Sequence, residues 1–255
     1  MTPPIDLSVE VPGTPEQVWE AIATGPGISI WFVPTEVEER LGGRVTMKHG
    51  EGMDVQTGDV TVWDPPRRFA FESDFQDTRM AVELHVEARS GGTCVVRLVN
   101  SGFGDGADWE QVRESSERGW RMCLRVLELY LRHYAGQPSA RIQTLGNGPG
   151  PEEKGWEALT EALGIADAGA GDRVAVDQPS LAGVIEHADE HSLMLRLEQP
   201  APGVGIVAVG APGDVVYTQL SASLFGADAE AVAEHEQPAW EAWMRERFPA
   251  AATAG

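Results

Sequence analysis

A change of hydrophobic period near residue 108 limits what this chain can fold into. From residue 108 to residue 134, apolar and small side chains recur at three- and four-residue steps, the spacing of one helix face. These side chains are Trp109, Val112, Ser116, Trp120, Cys123, Leu127, Leu131 and Tyr134. Gly136 and Pro138 then end the pattern. A long amphipathic helix is therefore predicted.

The residues before this helix follow the two-residue period of β-strands. Residues 5–11 alternate between apolar and polar side chains, and a short helix follows, capped by Thr14 and ended by Pro26 and Gly27. Alternating segments then continue as far as residue 99, separated by turn residues at 64–67 and 90–92. The sequence thus predicts an α+β order of strand, short helix, antiparallel strands and long helix.

The second half of the chain repeats this pattern in shortened form. The string WEAI at residues 19–22 returns as WEAL at 156–159, and Phe103-Gly104 returns as Phe225-Gly226. Trp240 then takes the place of Trp120, and residues 141–145 are suited to replace the opening strand. Because these elements recur in the same order, we predict a duplicated fold. Pro238 is expected to break the last helix or to begin it.

Several strings in the first half resemble the START-like (SRPBCC) superfamily, whose members share the helix-grip fold of the birch-pollen allergen. They are VPGTPEQVW at 11–19, GPGISIWF at 25–32, GDVTVWDPPRRFAF at 58–71 and GW at 119–120. Within the superfamily, the chain is most similar to the homologues of the activator of Hsp90 ATPase. The resemblance spans about residues 5–135 and implies a curved antiparallel sheet around a long C-terminal helix. We expect one such domain at residues 1–136 and a degenerate copy at 137–255.

The resemblance also implies a cavity between sheet and helix that takes an apolar, often polycyclic, small molecule. The matching positions are Trp31, Phe32, Met47, Trp63, Phe69, Phe71, His85, Arg97, Phe103, Trp120 and Cys123. Alternation along the strands puts Phe69 and Phe71 on one face, and Leu84 and His85 on opposite faces. Only one of the two faces of the sheet can line the cavity, so Leu84 and His85 cannot both do so. Ordinary core packing is the alternative for any single aromatic side chain.

Charge and composition exclude several classes of function. The chain has 40 acidic and 19 basic side chains, a formal net charge of -21, so nucleic acid and anionic membranes are poor partners. Neither a secretory signal nor an apolar stretch of roughly 20 residues is evident. Two cysteines are too few for a disulfide scaffold. We expect a soluble, cytoplasmic protein that needs no cofactor.

Motifs that carry chemistry are mostly lacking. The string HADEH at 187–191 matches the H-x-x-E-H pattern of zinc proteases, but its neighbours predict a hairpin turn rather than the helix that a metal site requires. No G-x-S-x-G string occurs, and the glycine-rich residues 146–150 are interpreted as a linker. His85 and Arg97 are the weak catalytic candidates, because a histidine facing the cavity could act as general acid or base.

These observations favour a binding protein over an enzyme. The leading hypothesis is binding of a hydrophobic small molecule, such as a polyketide, in biosynthesis or self-resistance. The alternative is a polyketide cyclase or aromatase in which His85 or Arg97 orients the substrate. A co-chaperone role with an Hsp90-like ATPase ranks third, because only the family name suggests it. The oligomeric state stays open.

Overall fold

The chain divides into two compact units. A computed structural model describes residues 2–49, 55–211 and 215–249. Its contacts separate Met1–Ala135 from Gly136–Gly255, one residue from the boundary suggested by the sequence. Both units are α+β, each with one antiparallel sheet, as the repeat predicts.

The described residues of the first unit form seven strands and three helices. In chain order these are β1 (Ile5–Pro12), α1 (Pro15–Ala23), α2 (Gly25–Trp31), β2 (Thr35–Val37), β3 (Arg44–Lys48), β4 (Val55–Asp64), β5 (Arg68–Phe75), β6 (Thr78–Ala88), β7 (Thr93–Ser101) and α3 (Ala107–His133). The strands lie in the order β1-β7-β6-β5-β4-β3-β2, so the first strand pairs with the last. This is the helix-grip arrangement that the resemblance implies.

The first helix differs from expectation at its end. Pro26 and Gly27 do not simply end α1, because they belong to a second helix, α2, that begins at Gly25. Thr24 caps α2 by accepting a hydrogen bond from the Gly27 amide (3.1 Å), and a proline in the first turn costs no helical hydrogen bond. A Cβ on Gly27 would lie 2.0 Å from the Glu20 carbonyl oxygen, so glycine permits this tight crossing.

One face of the first sheet, which we call the inner face, carries the core. Strand register aligns Leu7, Leu98, Leu84 and Phe69 in one row across β1, β7, β6 and β5, and all four are buried. The long helix α3 covers this face, because Trp120 in α3 donates a hydrogen bond to a side chain there.

In the second unit, the part of the chain that the structure describes forms six strands and two helices. They are β8 (Ser139–Asn147), α4 (Glu152–Leu163), β9 (Arg173–Val176), β10 (Leu181–Asp189), β11 (Ser192–Gln199), β12 (Gly203–Gly210), β13 (Tyr217–Phe225) and α5 (Ala229–Arg247). The sheet order β8-β13-β12-β11-β10-β9 again pairs the first strand with the last. Among the residues described, α2 and β2 have no counterpart here, so the second unit is a shortened copy of the first.

Two sequence expectations about the second unit are wrong. Residues 146–150 are only partly a linker, because β8 continues to Asn147 and pairs with Tyr217. Pro238 lies inside α5 and does not break it. The preceding Gln237 side chain bonds both backbone groups of Gln143 on the edge strand β8, donating to its carbonyl (2.9 Å) and accepting from its amide (3.1 Å). This clamp helps to hold α5 against the sheet through the proline.

The long helices of the two units place tryptophans at matching positions with different partners. Trp120 Nε1 donates to Asn100 Oδ1 (3.1 Å), whereas Trp240 Nε1 is buried with no acceptor among the described residues. Asn100 and Ala222 occupy equivalent positions, because each lies three residues before the repeated phenylalanine of its unit. Each also pairs with an isoleucine on the first strand, Ile5 or Ile142. The second unit thus has alanine where the first has the acceptor.

This difference predicts unequal costs for one substitution. Trp120→Phe should leave the buried Asn100 carbonyl oxygen without its partner, whereas Trp240→Phe removes a donor that has none. We expect the first variant to lose about 1–3 kcal/mol more unfolding free energy than the second. Urea denaturation of the full chain measures both. An equal or larger loss for Trp240→Phe would contradict this account.

Candidate functional site

Three aromatic side chains meet where α2 lies against α3, and we call them the aromatic cluster. Phe32 stacks on Trp120 with ring centroids 4.8 Å apart and planes 21° apart, and Trp31 lies 6.5 Å from Trp120. The Trp31 indole donates to the Ala21 carbonyl oxygen (2.9 Å), so its ring is fixed to α1. The capped turn between α1 and α2 therefore positions two of the three rings.

A row of polar side chains lies beside this cluster, and we call it the polar row. It runs from His49, after β3, through Gln56 in β4 to Ser73 in β5. His49 Nε2 lies 3.0 Å from Gln56 Oε1, and Gln56 Nε2 donates to Ser73 Oγ (3.0 Å) and to the Asp74 carbonyl oxygen (3.4 Å). Because the Gln56 oxygen can only accept, His49 Nε2 is the donor in this contact.

Register shows that the polar row belongs to the inner face. Gln56 is paired with the buried Met47, and Ser73 is itself buried. The ring of His49 meets the edge of Phe32, with centroids 6.2 Å apart, so the row touches the aromatic cluster directly. Aromatic surface and hydrogen-bonding groups therefore adjoin on one side of the sheet.

The helix above this region is packed unevenly. In the C-terminal half of α3, the side chains that turn toward the sheet are buried, namely Leu124, Leu127 and Leu131. In its N-terminal half, those at the same helical spacing are only half-buried, namely Trp109, Val112 and Ser116. Phe75, 38% exposed, meets Trp109 edge-on at 6.2 Å and borders this looser region. The N-terminal half of α3 is therefore packed less closely than its C-terminal half.

The structure divides the predicted lining residues into two groups. Trp31, Phe32 and Trp120 form the aromatic cluster, with Met47 buried on the inner face beside Gln56. Phe69 lies instead between Trp63 and Phe71 (5.8 Å to each), and Trp63 meets Trp19 of α1 at 5.1 Å. Phe103 is buried after β7, and Cys123 is half-buried in α3. Ligand contact by any of these residues stays a prediction.

The expectation that His85 and Arg97 line the cavity is wrong. Register places them in a row with Arg68 and Ser8 on the opposite, outer face of the sheet. They alternate with the buried Leu84 and Leu98 along β6 and β7, so they cannot share a face with them. This position on the outer face excludes both residues as catalytic groups in an inner cavity.

His85 and Arg97 on the outer face are each paired with a carboxylate. Arg97 binds both carboxylate oxygens of Asp6 (2.8 and 2.6 Å), which lowers the pKa of Asp6. Burial alone would raise the pKa of Glu83, but hydrogen bonds from Arg68 and from His85 (2.6 Å) more than offset it and hold that pKa below its ordinary value. The outer face is thus a set of cross-strand ion pairs.

Two depressions lie outside the region where the resemblance implies a hollow. One, of about 490 Å³, lies on the outer face among His85, Arg97 and their neighbours. The other, of about 660 Å³, lies in the second unit beside β9.

The HADEH string forms the end of the β10–β11 hairpin, as its neighbours predict. His187 Nε2 lies 2.8 Å from Asp189, and His191 Nδ1 lies 3.6 Å from Glu152. Within residues 2–49, 55–211 and 215–249, no group of three or more His, Cys, Asp or Glu side chains could hold a metal ion. In the same ranges, no helix is long and apolar enough to cross a membrane.

Sequence reasoning missed His49, Gln56, Ser73 and Asn100. A signal was present, because Asn100 continues the alternation of Cys94, Val96 and Leu98 on the buried face of β7. A polar side chain at a position predicted to be buried indicates a hydrogen-bonded role or a binding role. The hydrogen bonds that link His49, Gln56 and Ser73 could not be predicted in the same way, because they depend on the register of three strands.

The comparisons with known proteins agree with this fold. Residues 12–132, a little under half of the chain, match the model of the family "Activator of Hsp90 ATPase homolog 1-like protein". None of the curated proteins matches.

Solved structures resemble either one unit or both. A protein from Mesorhizobium loti is 19% identical, covering 51% of this chain and 97% of its own (TM-score 0.47). The Aha1 dimer from Colwellia psychrerythraea is 16% identical, with 52% and 98% covered (TM-score 0.44). The di-domain ARO/CYC BexL from the BE-7585A biosynthetic pathway is 13% identical, with 98% and 100% covered (TM-score 0.48). Residues 12–132 are thus similar to the Activator of Hsp90 ATPase homolog 1-like family, and their strand order is that of the helix-grip fold.

Proposed function

We propose that the first unit binds a small molecule with a flat, largely apolar ring system on the inner face of its sheet. The observation that carries this proposal is the stacked pair Phe32 and Trp120 beside the His49–Gln56–Ser73 row. Both features lie on the face that α3 covers, near the loosely packed half of that helix.

Ring stacking supplies the apolar part of the binding free energy. Each aromatic side chain offers a large area at a small cost in rotamer entropy, and a stacked ring contact adds about 0.5–1.5 kcal/mol beyond area burial. Trp31 and Phe32 meet at 6.3 Å with planes 41° apart, so the cluster presents tilted walls. Such walls favour fused rings over flexible chains.

The polar row supplies orientation. Gln56 connects His49 to Ser73, and a His49 ring with its single proton on Nε2 would offer an acceptor at Nδ1. A hydroxyl group of the ligand could donate to Nδ1, and a keto group could accept from Ser73 if its hydroxyl proton turns toward the ligand. Aromatic polyketides have this chemistry, since they combine fused rings with keto and hydroxyl groups. We therefore infer a polyketide-like ligand, bound in biosynthesis or self-resistance.

A second candidate is a cyclase or aromatase that acts on a poly-β-ketone. One specific feature favours it, because His49 is an imidazole on the inner face, close to Phe32 and held by an amide. A histidine in this position could move a proton to or from a bound carbonyl compound. His49→Gln should then abolish turnover of a poly-β-ketone while leaving its binding within about threefold. Unchanged turnover would exclude His49 from catalysis.

The first prediction concerns the stacked pair. Phe32→Ala should weaken binding of 1,8-dihydroxyanthraquinone by about tenfold or more, because one face of the stack is lost. Quenching of tryptophan fluorescence in the full chain measures the affinity. Tyr217→Ala, a truncation of a half-buried ring in the second unit, is the control and should leave the affinity unchanged. Equal affinities for all three proteins would place the ligand elsewhere.

The second prediction concerns the polar row. Gln56→Leu keeps the approximate side-chain volume but removes the link between His49 and Ser73. We expect it to weaken binding of 1-naphthol about five- to tenfold, a free energy of about 1–1.4 kcal/mol. Binding of naphthalene, which lacks the hydroxyl group, should change less than twofold. Isothermal calorimetry with the two compounds gives both values, and a parallel loss for naphthalene would show that Gln56 acts only through packing.

A further inference from the structure

The strand β9 in the second unit ends its sheet without the neighbour that its counterpart has. In the first unit, β3 pairs with β4 on one side and with β2 on the other. In the second unit, β9 pairs with β10, and within the described ranges no strand takes the position of β2. In the first unit, β2 thus covers the edge of β3. In the second unit, no strand within the described ranges covers the equivalent edge of β9.

Matching hydrogen bonds establish that β3 and β9 are equivalent. Val60 donates to the Gly43 carbonyl oxygen (2.7 Å) before β3, and Ile185 donates to that of Asp172 (2.9 Å) before β9. The Gly42 amide also donates to Val60, and the Gly171 amide to Ile185 (2.9 and 2.8 Å). Counting on from these bonds, Arg173 corresponds to Arg44 and Ala175 to Thr46.

The direction of the β9 backbone follows from the same bonds. Hydrogen-bonded pairs alternate along an antiparallel ladder, so Val174 and Val176 bond to β10 while Arg173 and Ala175 point away from it. At the equivalent edge of β3, the Arg44 carbonyl oxygen accepts from Glu38 (2.8 Å), and the Lys48 amide donates to Pro34 (2.9 Å). The backbone groups of Arg173 and Ala175 therefore point toward the position that β2 occupies in the first unit.

A groove of about 660 Å³ lies along this edge. Its wall opposite β9 is the segment after α4, and the buried Ile165 and Val174 give it an apolar floor. Three exposed carboxylates border it, those of Glu161, Asp167 and Asp172. The cation there, Arg173, is already paired with Glu198. The groove therefore combines a strand edge, an apolar floor and negative charge.

We propose that β9 and this groove bind an extended, basic peptide segment of a partner protein, which adds to the sheet as an antiparallel strand. Backbone bonds to Arg173 and Ala175 would supply affinity, as in other cases of strand addition. Side chains at alternate positions would be small or β-branched where they face Ile165 and Val174. Lysine or arginine at the ends of the segment would face the three carboxylates.

The test uses the full-length chain, labelled with ¹⁵N, and the capped peptide KTVTVK. We expect the peptide to shift the amide resonances of Arg173 and Ala175, with a Kd below about 1 mM that weakens as salt is added. The acidic peptide ETVTVE should bind at least tenfold more weakly. With its valines facing Val174, the peptide would use its threonine amides for the bonds to Arg173 and Ala175. The peptide KPVPVK lacks those two amide donors and should not bind.

Two substitutions distinguish strand addition from simple charge attraction. Ala175→Pro removes the outward-pointing amide without touching a β10 bond and should abolish binding, whereas Ala175→Ser keeps the amide and should bind normally. An unchanged thermal midpoint would show that Ala175→Pro is still folded. Glu161→Gln combined with Asp167→Asn should weaken KTVTVK about fivefold and remove most of the salt dependence.

Several results would overturn the proposal. They are resonances that stay unshifted at 1 mM peptide, equal binding by KPVPVK, and normal binding by a folded Ala175→Pro variant. Concentration-dependent self-association that Ala175→Pro abolishes would identify a second copy of this chain as the occupant instead of a basic partner. None of these outcomes depends on ligand binding in the first unit.

Discussion

The pairing of the first strand of each unit with its last strand is the constraint on which the structure depends. In the first unit, β1 pairs with β7 from Ile5 with Asn100 to Pro12 with Thr93. This long-range pairing places β1 beside β7 at one end of the sheet. It thereby fixes the position from which the chain leaves β7 before it enters α3. The helix is thereby set across the inner face, where Leu124 and Leu127 complete the core. The second unit repeats the arrangement with β8, β13 and α5.

Because the fold is duplicated, the two units can differ in other elements while both keep this pairing of first and last strands. The first unit keeps α2, which carries Trp31 and ends at Phe32, and it keeps Asn100 beneath Trp120. Within its described residues, the second has no counterpart of α2 or β2, and it has Ala222 where an acceptor for Trp240 would be. Aromatic and polar groups are therefore brought together in the first unit, whereas the second exposes a strand edge. The two proposals follow from this asymmetry.

The outer face of the first sheet shows why a charged pair in a strand is a weak guide to chemistry. Arg97 and His85 are cross-strand neighbours, but each is held by a carboxylate, Asp6 or Glu83. An arginine that binds both oxygens of one carboxylate is already satisfied. In an acidic chain, such pairs stabilise the solvent-facing side of a sheet at positions that alternation excludes from the core.

The sequence by itself determined the order of most strands and helices, the duplication, and which aromatic residues lie in α3, because periodicity and capping are local properties. It also placed Phe69 and Phe71 on one face. It did not predict α2, because Pro26 and Gly27 were expected to end the first helix. Tertiary structure alone decided which face α3 covers, and with it the exclusion of His85 and Arg97. It alone assembled His49, Gln56 and Ser73, since cross-strand register joins residues that are far apart in the chain. Pro238 could remain inside α5, where local rules predict a break, because packing against the sheet and the Gln237 clamp outweigh the lost helical hydrogen bond.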